Sequence, residues 1–419
     1  VTPRDPATGG PASSAEPGPP AARPYGTAPA VGGADDAAGT GGAGDTGGLD
    51  GAGDAGGLDG AGDAGGLDGA DRAGGGGRGR RWRIRPLVLS CVLVVLAVAL
   101  LAGLTAGAAG IPPAGVLRAL ADALPFVSLD TGLAPVDQTV LFELRLPRVL
   151  IGAAVGGLLA IAGAGYQGVF RNPLADPYLL GAGGGAGLGA TIMIVFFSDA
   201  PDTGVPLAAF AGAVGGVLLA YNLGRAAGGR GTVTLVLAGV AVSSFLAAVQ
   251  AFLQQLRVEE LERIYAWIMG GLESADWETL TMIAPYSAVS VAVLFAHGRL
   301  LDVLSVGDDE ATSLGVSAAR VRFVVLAASS LATACAVAVS GLVGFVGVVI
   351  PHVARRLAGG SYRAVLPLSF LLGAAFLVLV DLLARTVIAP GELALGVVTA
   401  FVGAPFFVGV LRATRREAS

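Results

Sequence analysis

Residues 78–109 read RGRRWRIRPLVLSCVLVVLAVALLAGLTAGAA: five arginines (Arg78, Arg80, Arg81, Arg83 and Arg85), then an apolar run from Leu87 to Ala109 with no charged side chain. A helix needs about 20 apolar residues to cross the hydrocarbon core, so this run is long enough. A cleavable signal peptide would also begin basic, but its apolar core is shorter and would not follow a long acidic segment. The stretch therefore reads as a retained first span with its N-terminal side in the cytoplasm. Similar runs recur near 148–170, 177–198, 205–224, 232–254, 279–298, 321–341, 342–356, 365–388 and 391–411, which makes ten. The eighth is short and interrupted by Gly344, Gly347 and Pro351. With a mean hydropathy of +0.73 and 14% charged residues, the chain is expected to be an all-α membrane protein with about ten transmembrane helices.

Arginine placement assigns the loops. If the ten spans start inside, the cytoplasmic segments carry 17 arginines and the outer ones 6, the bias that basic residues follow. Both ends of the chain then lie in the cytoplasm. Trp82, Trp267 and Trp277 fall at expected membrane interfaces, where an amphipathic ring belongs.

Residues 1–77 are of another kind. They hold 11 Asp and Glu against 3 Arg, and 25 of the 67 glycines, so the net charge of -5 averages an acidic tail with a body, 78–419, that is +3. The tail repeats Gly-Ala-Gly-Asp-(Thr/Ala)-Gly-Gly-Leu-Asp from Gly42, Gly51 and Gly60. Calcium-binding β-helix turns need a different register of glycine, aspartate and apolar residues. With so little apolar surface the tail is expected to be disordered. The chain opens on Val1, as a fragment or a literally translated alternative start codon would.

Several chemistries are excluded. All 26 basic residues are arginine, so a P-loop and a Schiff base, which both need a lysine amine, are absent. If ATP drives this protein, a partner hydrolyses it. Cys91 and Cys335 sit in apolar runs and offer neither a disulfide framework nor a thiolate cluster. No cofactor or metal is called for.

The informative polar residues are few. Arg145-Leu-Pro-Arg148 opens the second span with two guanidinium groups on one face, suited either to the interface or to carboxylates of an external protein. Gln167 and Arg171-Asn-Pro-Leu-Ala-Asp-Pro177 lead into the glycines of 181–187, a tight reversal between helices. It is no dinucleotide loop, since no strand precedes it and Ala186 takes a glycine position. The longest polar stretch of the body runs from Arg299 to Arg322. Asp308, Asp309 and Glu310 there open a short helical pattern that Gly315 closes, a solvated face or a docking helix. Asp381 and Arg385 are spaced to pair along one helix, with Glu392 beyond. His297, at a helix end, and His352 read as satisfied structural residues.

At these residues the sequence resembles the permease subunits of ABC importers for iron-siderophores, haem and cobalamin. The likeness covers about residues 84–412: RLPR at 145, Gln167 with RNPLADP at 171, LAGVAVSS at 237, W-x-M-G at 267, GDDEATSLGV at 307, SGLVGFVGVVIPHVARRLAG at 340, D-x-x-x-R at 381 and GELALGVVTAFVGAPFF at 391. The resemblance implies a type II ABC importer permease that is not itself an enzyme. It would pair with a second protomer around a central pathway, bind two cytoplasmic ATPase subunits and receive substrate from an extracytoplasmic binding lipoprotein. By the same likeness Arg145, Arg148 and Arg385 would meet carboxylates of that binding protein. Asn172, Leu174 and Thr232 would form cytoplasmic gates, with Val233 replacing a polar residue found in some relatives. Gly307, Asp308, Asp309, Glu310, Ala311, Leu314 and Gly315 would belong to the helix that couples to the ATPase. The expected cargo is an iron(III)-siderophore, with cobalamin or haem as the alternatives. A proton-coupled secondary transporter would need inverted repeats and a midplane carboxylate, and the sequence offers neither. A membrane-anchored regulator worked by the acidic tail is the third reading.

Overall fold

The computed structural model describes residues 84–417, apart from 108, 109, 127, 198–200, 202 and 229–231. The acidic tail, Trp82 and the first four arginines of the opening cluster lie outside the described residues.

All described regular elements are helical: α1 (Pro86–Thr105), α2 (Pro113–Asp122), α3 (Pro135–Thr139), α4 (Leu146–Phe170), α5 (Ala182–Phe196), α6 (Gly204–Ala226), α7 (Thr232–Leu256), α8 (Leu261–Met269), α9 (Trp277–Val306), α10 (Asp308–Ser313), α11 (Ala318–Ser340), α12 (Val346–Ala358), α13 (Tyr362–Thr386) and α14 (Leu395–Glu417). A π-helical turn, Val140–Arg145, joins α3 to α4 without a break. Seven helices are long and apolar enough to cross a membrane, α3 to α4 counting as one, and α5 and α14 supply shorter apolar stretches. Each of the ten apolar runs overlaps one of these helices or α12.

α4 is the centre of the bundle. Ile151, Val155, Leu158 and Ile161 are fully or almost fully buried, and α4 packs on α9, α11, α12 and α13. Lipid tails are as apolar as leucine, so apolar surface alone does not drive these helices together and close van der Waals approach must. The glycines provide it. A methyl group at Gly156 would strike the carbonyl oxygen of Gly373 in α13, and one at Gly163 would strike that of Gly347 in α12. Gly185 and Gly212 make the same mutual approach between α5 and α6.

Several boundaries differ from the sequence expectation. The third run does not become helical until Ala182, because Pro177–Leu180 forms a 3-10 turn and Gly181 takes a left-handed conformation. The eighth span breaks at 341–345 rather than at Pro351, which lies inside α12. A proline in a helix has no N–H for the carbonyl four residues earlier, here that of Gly347, and the side chain of Gln167 supplies that hydrogen bond at 3.1 Å. α9 continues to Val306, so the polar stretch that sequence starts at Arg299 is helical for its first eight residues, and His297 sits within α9 instead of at its end. The short helices α2 and α8 lie between the apolar runs. Both are amphipathic and shorter than a span, which a search for long apolar runs passes over.

Candidate functional site

Polar side chains collect at the two ends of the α4 bundle. One end holds the start of α4 and the finish of α13, and the other holds the finish of α4 with α10.

At the first end Arg148 is the hub. Its Nε and Nη2 donate to Asp381 Oδ1 at 3.0 and 2.8 Å, and its Nη1 and Nη2 donate to Glu392 at 3.0 and 2.7 Å. Two edges of one planar guanidinium thus hold two carboxylates. Asp381 is 3% exposed and Glu392 30%. Arg385 also pairs with Asp381, at 3.4 Å, so the i, i+4 pairing expected from sequence is present. The shorter bonds of Asp381, however, cross to α4, 233 residues away, a partner that spacing along one helix cannot reveal.

Arg145 and Arg385 perform a second task. Arg145 Nη1 donates to the carbonyls of Leu104 and Thr105, each at 2.9 Å. Arg385 donates to Ala106 at 3.0 Å and to Gly103. These are the carbonyls that a helix leaves unpaired at its C-terminus, where a cation is also favoured by the helix dipole. Arg145, at 7% exposure, is buried beneath this surface, and the π turn before α4 carries it there. Trp277 closes the same end by donating from Nε1 to Phe142 O at 2.9 Å.

At the opposite end one carboxylate serves two guanidinium groups. Asp308, the first residue of α10, accepts from both Arg171 and Arg322. Arg171 has a left-handed conformation just past α4 and also donates to Leu304 O at 2.8 Å. Hydrogen bonds from Arg322 and then Arg171 hold the Asp308 carboxyl below its ordinary pKa. Gly315 ends α10 in a Schellman arrangement: Val316 N reaches Ala311 O at 2.9 Å and Gly315 N reaches Thr312 O at 2.9 Å. Ala311 is fully buried and anchors the helix, while Asp309, Glu310 and Leu314 are exposed, and Gly307 joins it to α9.

The loop after Arg171 is set by an Asx turn in which Asn172 Oδ1 accepts from Leu174 N at 2.9 Å. Leu174 is 45% exposed. Thr232 is the first residue of α7. Sequence reasoning gave no role to Gln167, Arg355 and Tyr178. Gln167 bonds Gly347 O and accepts from Arg355, tying α4 to α12. The Tyr178 hydroxyl satisfies both backbone groups of Val343, at 3.1 and 3.2 Å, within the unwound segment before α12. The available signal was a polar side chain in an otherwise apolar helix or loop. His297 Nδ1 meets Val293 O at 2.7 Å, and His352 stacks edge-on against Phe406. Among the described residues no cluster of three or more His, Cys, Asp or Glu is placed to hold a metal ion.

Residues 94–413 match the FecCD transport family. The chain is 41% identical over 284 residues to the cobalamin import system permease protein BtuC of Halobacterium salinarum, covering 68% of this chain and 76% of that one. It is 39% identical over 272 residues to the Fe(3+) dicitrate transport system permease protein FecD of Escherichia coli, covering 65% and 85%. It also resembles a solved structure described as a metal-chelate type ABC transporter in an inward-facing conformation, at 31% identity with a TM-score of 0.69, covering 79% of this chain and all of that one. With the family matched over most of its length and the helical bundle shared, the chain belongs to the FecCD transport family and is a membrane-embedded ABC importer permease.

Proposed function

We propose that this permease takes up iron(III)-siderophore complexes across the plasma membrane. A second permease protomer, identical or related, completes the pathway. Two ATPase subunits act on the Asp308 end, in the cytoplasm with both chain termini. A substrate-binding lipoprotein delivers cargo to the Arg148 end, where Arg145, Arg148 and Arg385 gather. Asp308 to Gly315 is the coupling element, Asn172 and Leu174 form the nearer gate, and Thr232 belongs to a second one.

The observation that carries this reading is the difference between α4 and α7. The segment ending in α4 has 83% of its apolar window buried within the protomer and α7 has 17%. α7 turns Val233, Leu237, Val240, Phe245 and Phe252 outward and has no charged residue from Thr232 to Leu256. α1, α6 and α9 are similarly open, at 22%, 28% and 22%, and such faces can meet lipid; the α7 face we assign to a partner protomer and a pathway that passes a bulky chelate by shape, without a fixed charge to retain it. The relative named for ferric dicitrate favours iron, BtuC keeps cobalamin as the competing cargo, and the neighbour named for metal chelates fits either, because cobalamin is itself a cobalt chelate. ATP binding and hydrolysis in the partner subunits would move α10 and rock the protomers between two access states.

The test is uptake in a strain deleted for this permease and complemented with the full chain, offered radio-iron hydroxamate siderophore, haemin or cyanocobalamin. Restored accumulation of the ferric siderophore alone is expected. Restored accumulation of cobalamin alone, or of haemin alone, replaces the cargo assignment.

A further inference from the structure

We infer that Glu392 is a resident competitor for the docking carboxylate, occupying the edge of Arg148 that a partner's acidic side chain must take. The inference rests on the docking role proposed for the Arg148 end and adds a residue that sets the strength and selectivity of that contact.

The two acids on Arg148 are not equivalent. Asp381 lies within α13, is 3% exposed, and is shared with Arg385. Withdrawing it would strand guanidinium groups in a buried place, which is strongly unfavourable. Glu392 is tenfold more exposed at 30% and lies in the turn between α13 and α14. The backbone of that turn is fixed independently of the side chain. Gly391 N bonds Ile388 O at 3.1 Å, Leu393 N bonds Ala384 O at 2.9 Å, and Leu395 N bonds Gly270 O at 2.9 Å. The Glu392 carboxylate can therefore rotate into water while the main chain stays in place, uncovering the Nη1 and Nη2 edge of Arg148.

An incoming carboxylate then finds a planar donor pair already oriented by Asp381 on the opposite edge. Exchange of one carboxylate for another leaves no buried group without a partner, so the opposing costs nearly cancel. The energetic consequence is competition. A side chain tethered beside its acceptor acts at a high effective concentration, and the apparent affinity for an outside ligand falls by the fraction of time the edge is free. A lone surface acid on an unrelated protein would be outcompeted. A partner whose acid reaches the Arg148 edge while the rest of its interface holds it there would prevail.

The experiment uses the full-length permease in lipid nanodiscs and the purified substrate-binding protein of the same importer, with affinity measured by biolayer interferometry. Phenylglyoxal labelling of Arg148, mapped by mass spectrometry, gives a readout that needs no partner. Glu392→Gln is expected to tighten binding several-fold, by the inverse of the fraction of time the edge is free, and to raise Arg148 labelling several-fold. Arg148→Glu is expected to abolish binding. If Arg148→Glu abolishes binding while Glu392→Gln leaves it unchanged or weakens it, with Arg148 labelling also unmoved, the competitor role is wrong and the docking role stands. If Arg148→Glu binds like the unaltered protein, the docking role itself falls and the competitor role goes with it. A thermal midpoint of Glu392→Gln within a few degrees of the parent, which its exposure leads us to expect, separates either outcome from misfolding.

Discussion

The two polar ends of this permease use the same chemistry around different hubs. At one, the guanidinium of Arg148 is divided between two carboxylates, one of which also meets Arg385; at the other, the single carboxylate of Asp308 is divided between two guanidinium groups. The settings differ as much as the counts do. Arg148 and Asp381 are 16% and 3% exposed, whereas Arg171, Asp308 and Arg322 are 38%, 45% and 22% exposed. Burial makes Arg148 and Asp381 part of the fold, because neither can turn to water when a partner is lost, and only Glu392 at the rim is free to do so. Exposure leaves the second network cheap to break, which suits the coupling role proposed for α10. An ion pair alone therefore says little about its importance, and the water around it says more.

Replacing Asp381 with alanine should show the contrast most strongly. It leaves Arg148 with one acid and Arg385 without its pair, and a loss of about 3–5 kcal/mol is expected, the usual cost of uncovering a buried charge. Thermal unfolding of the full chain in nanodiscs measures it. A loss below about 1 kcal/mol would place both ends in the same class and end the comparison. Trp277→Phe removes one hydrogen bond to Phe142 O at this end while keeping the ring, and about 1 kcal/mol is expected by the same assay.

At the opposite end Asp308→Asn should cost only about 0.2–1 kcal/mol, in the range of exposed pairs. Its effect should appear in transport: ATP hydrolysis by the assembled importer persists while cargo uptake falls at least several-fold. Equal loss of hydrolysis and uptake would make Asp308 a general assembly residue. The smallest effect concerns pH. The Asp308 carboxyl is held below its ordinary pKa by Arg322 and Arg171, so its contribution to stability is complete above the unfolded value of about 3.9 and fades as pH falls through the lower folded value. Between pH 5 and 8 the difference in thermal midpoint between the parent and Asp308→Asn should stay constant, and it should shrink only below about pH 4. A difference that already changes near neutral pH would show that another group titrates with it.

Much of this arrangement could be read in the sequence, within limits set by the range of each signal. Long apolar runs locate helices because lipid forbids unpaired backbone, and all ten did so. The glycine stop and acidic start of α10 were legible for the same local reason. What could not be read was the pairing of Arg148 with Asp381, which depends on α4 and α13 lying side by side. The capping of α1 by Arg145 and Arg385 depends on it too. Tyr178 is similar: nothing near it in the chain shows that its hydroxyl will meet a peptide unit 165 residues away.

The contacts at Gly156 with Gly373 and Gly163 with Gly347 have a mechanical corollary. Where main chain rests on main chain, no rotamer is available to take up a displacement, and a shift of an ångström opens a gap or drives atoms into collision. Helices α4, α12 and α13 consequently form a spine that tilts as a unit. Strain applied by nucleotide turnover would then be delivered undiminished along its length, and compliance would reside where side chains rather than main chain make the contact.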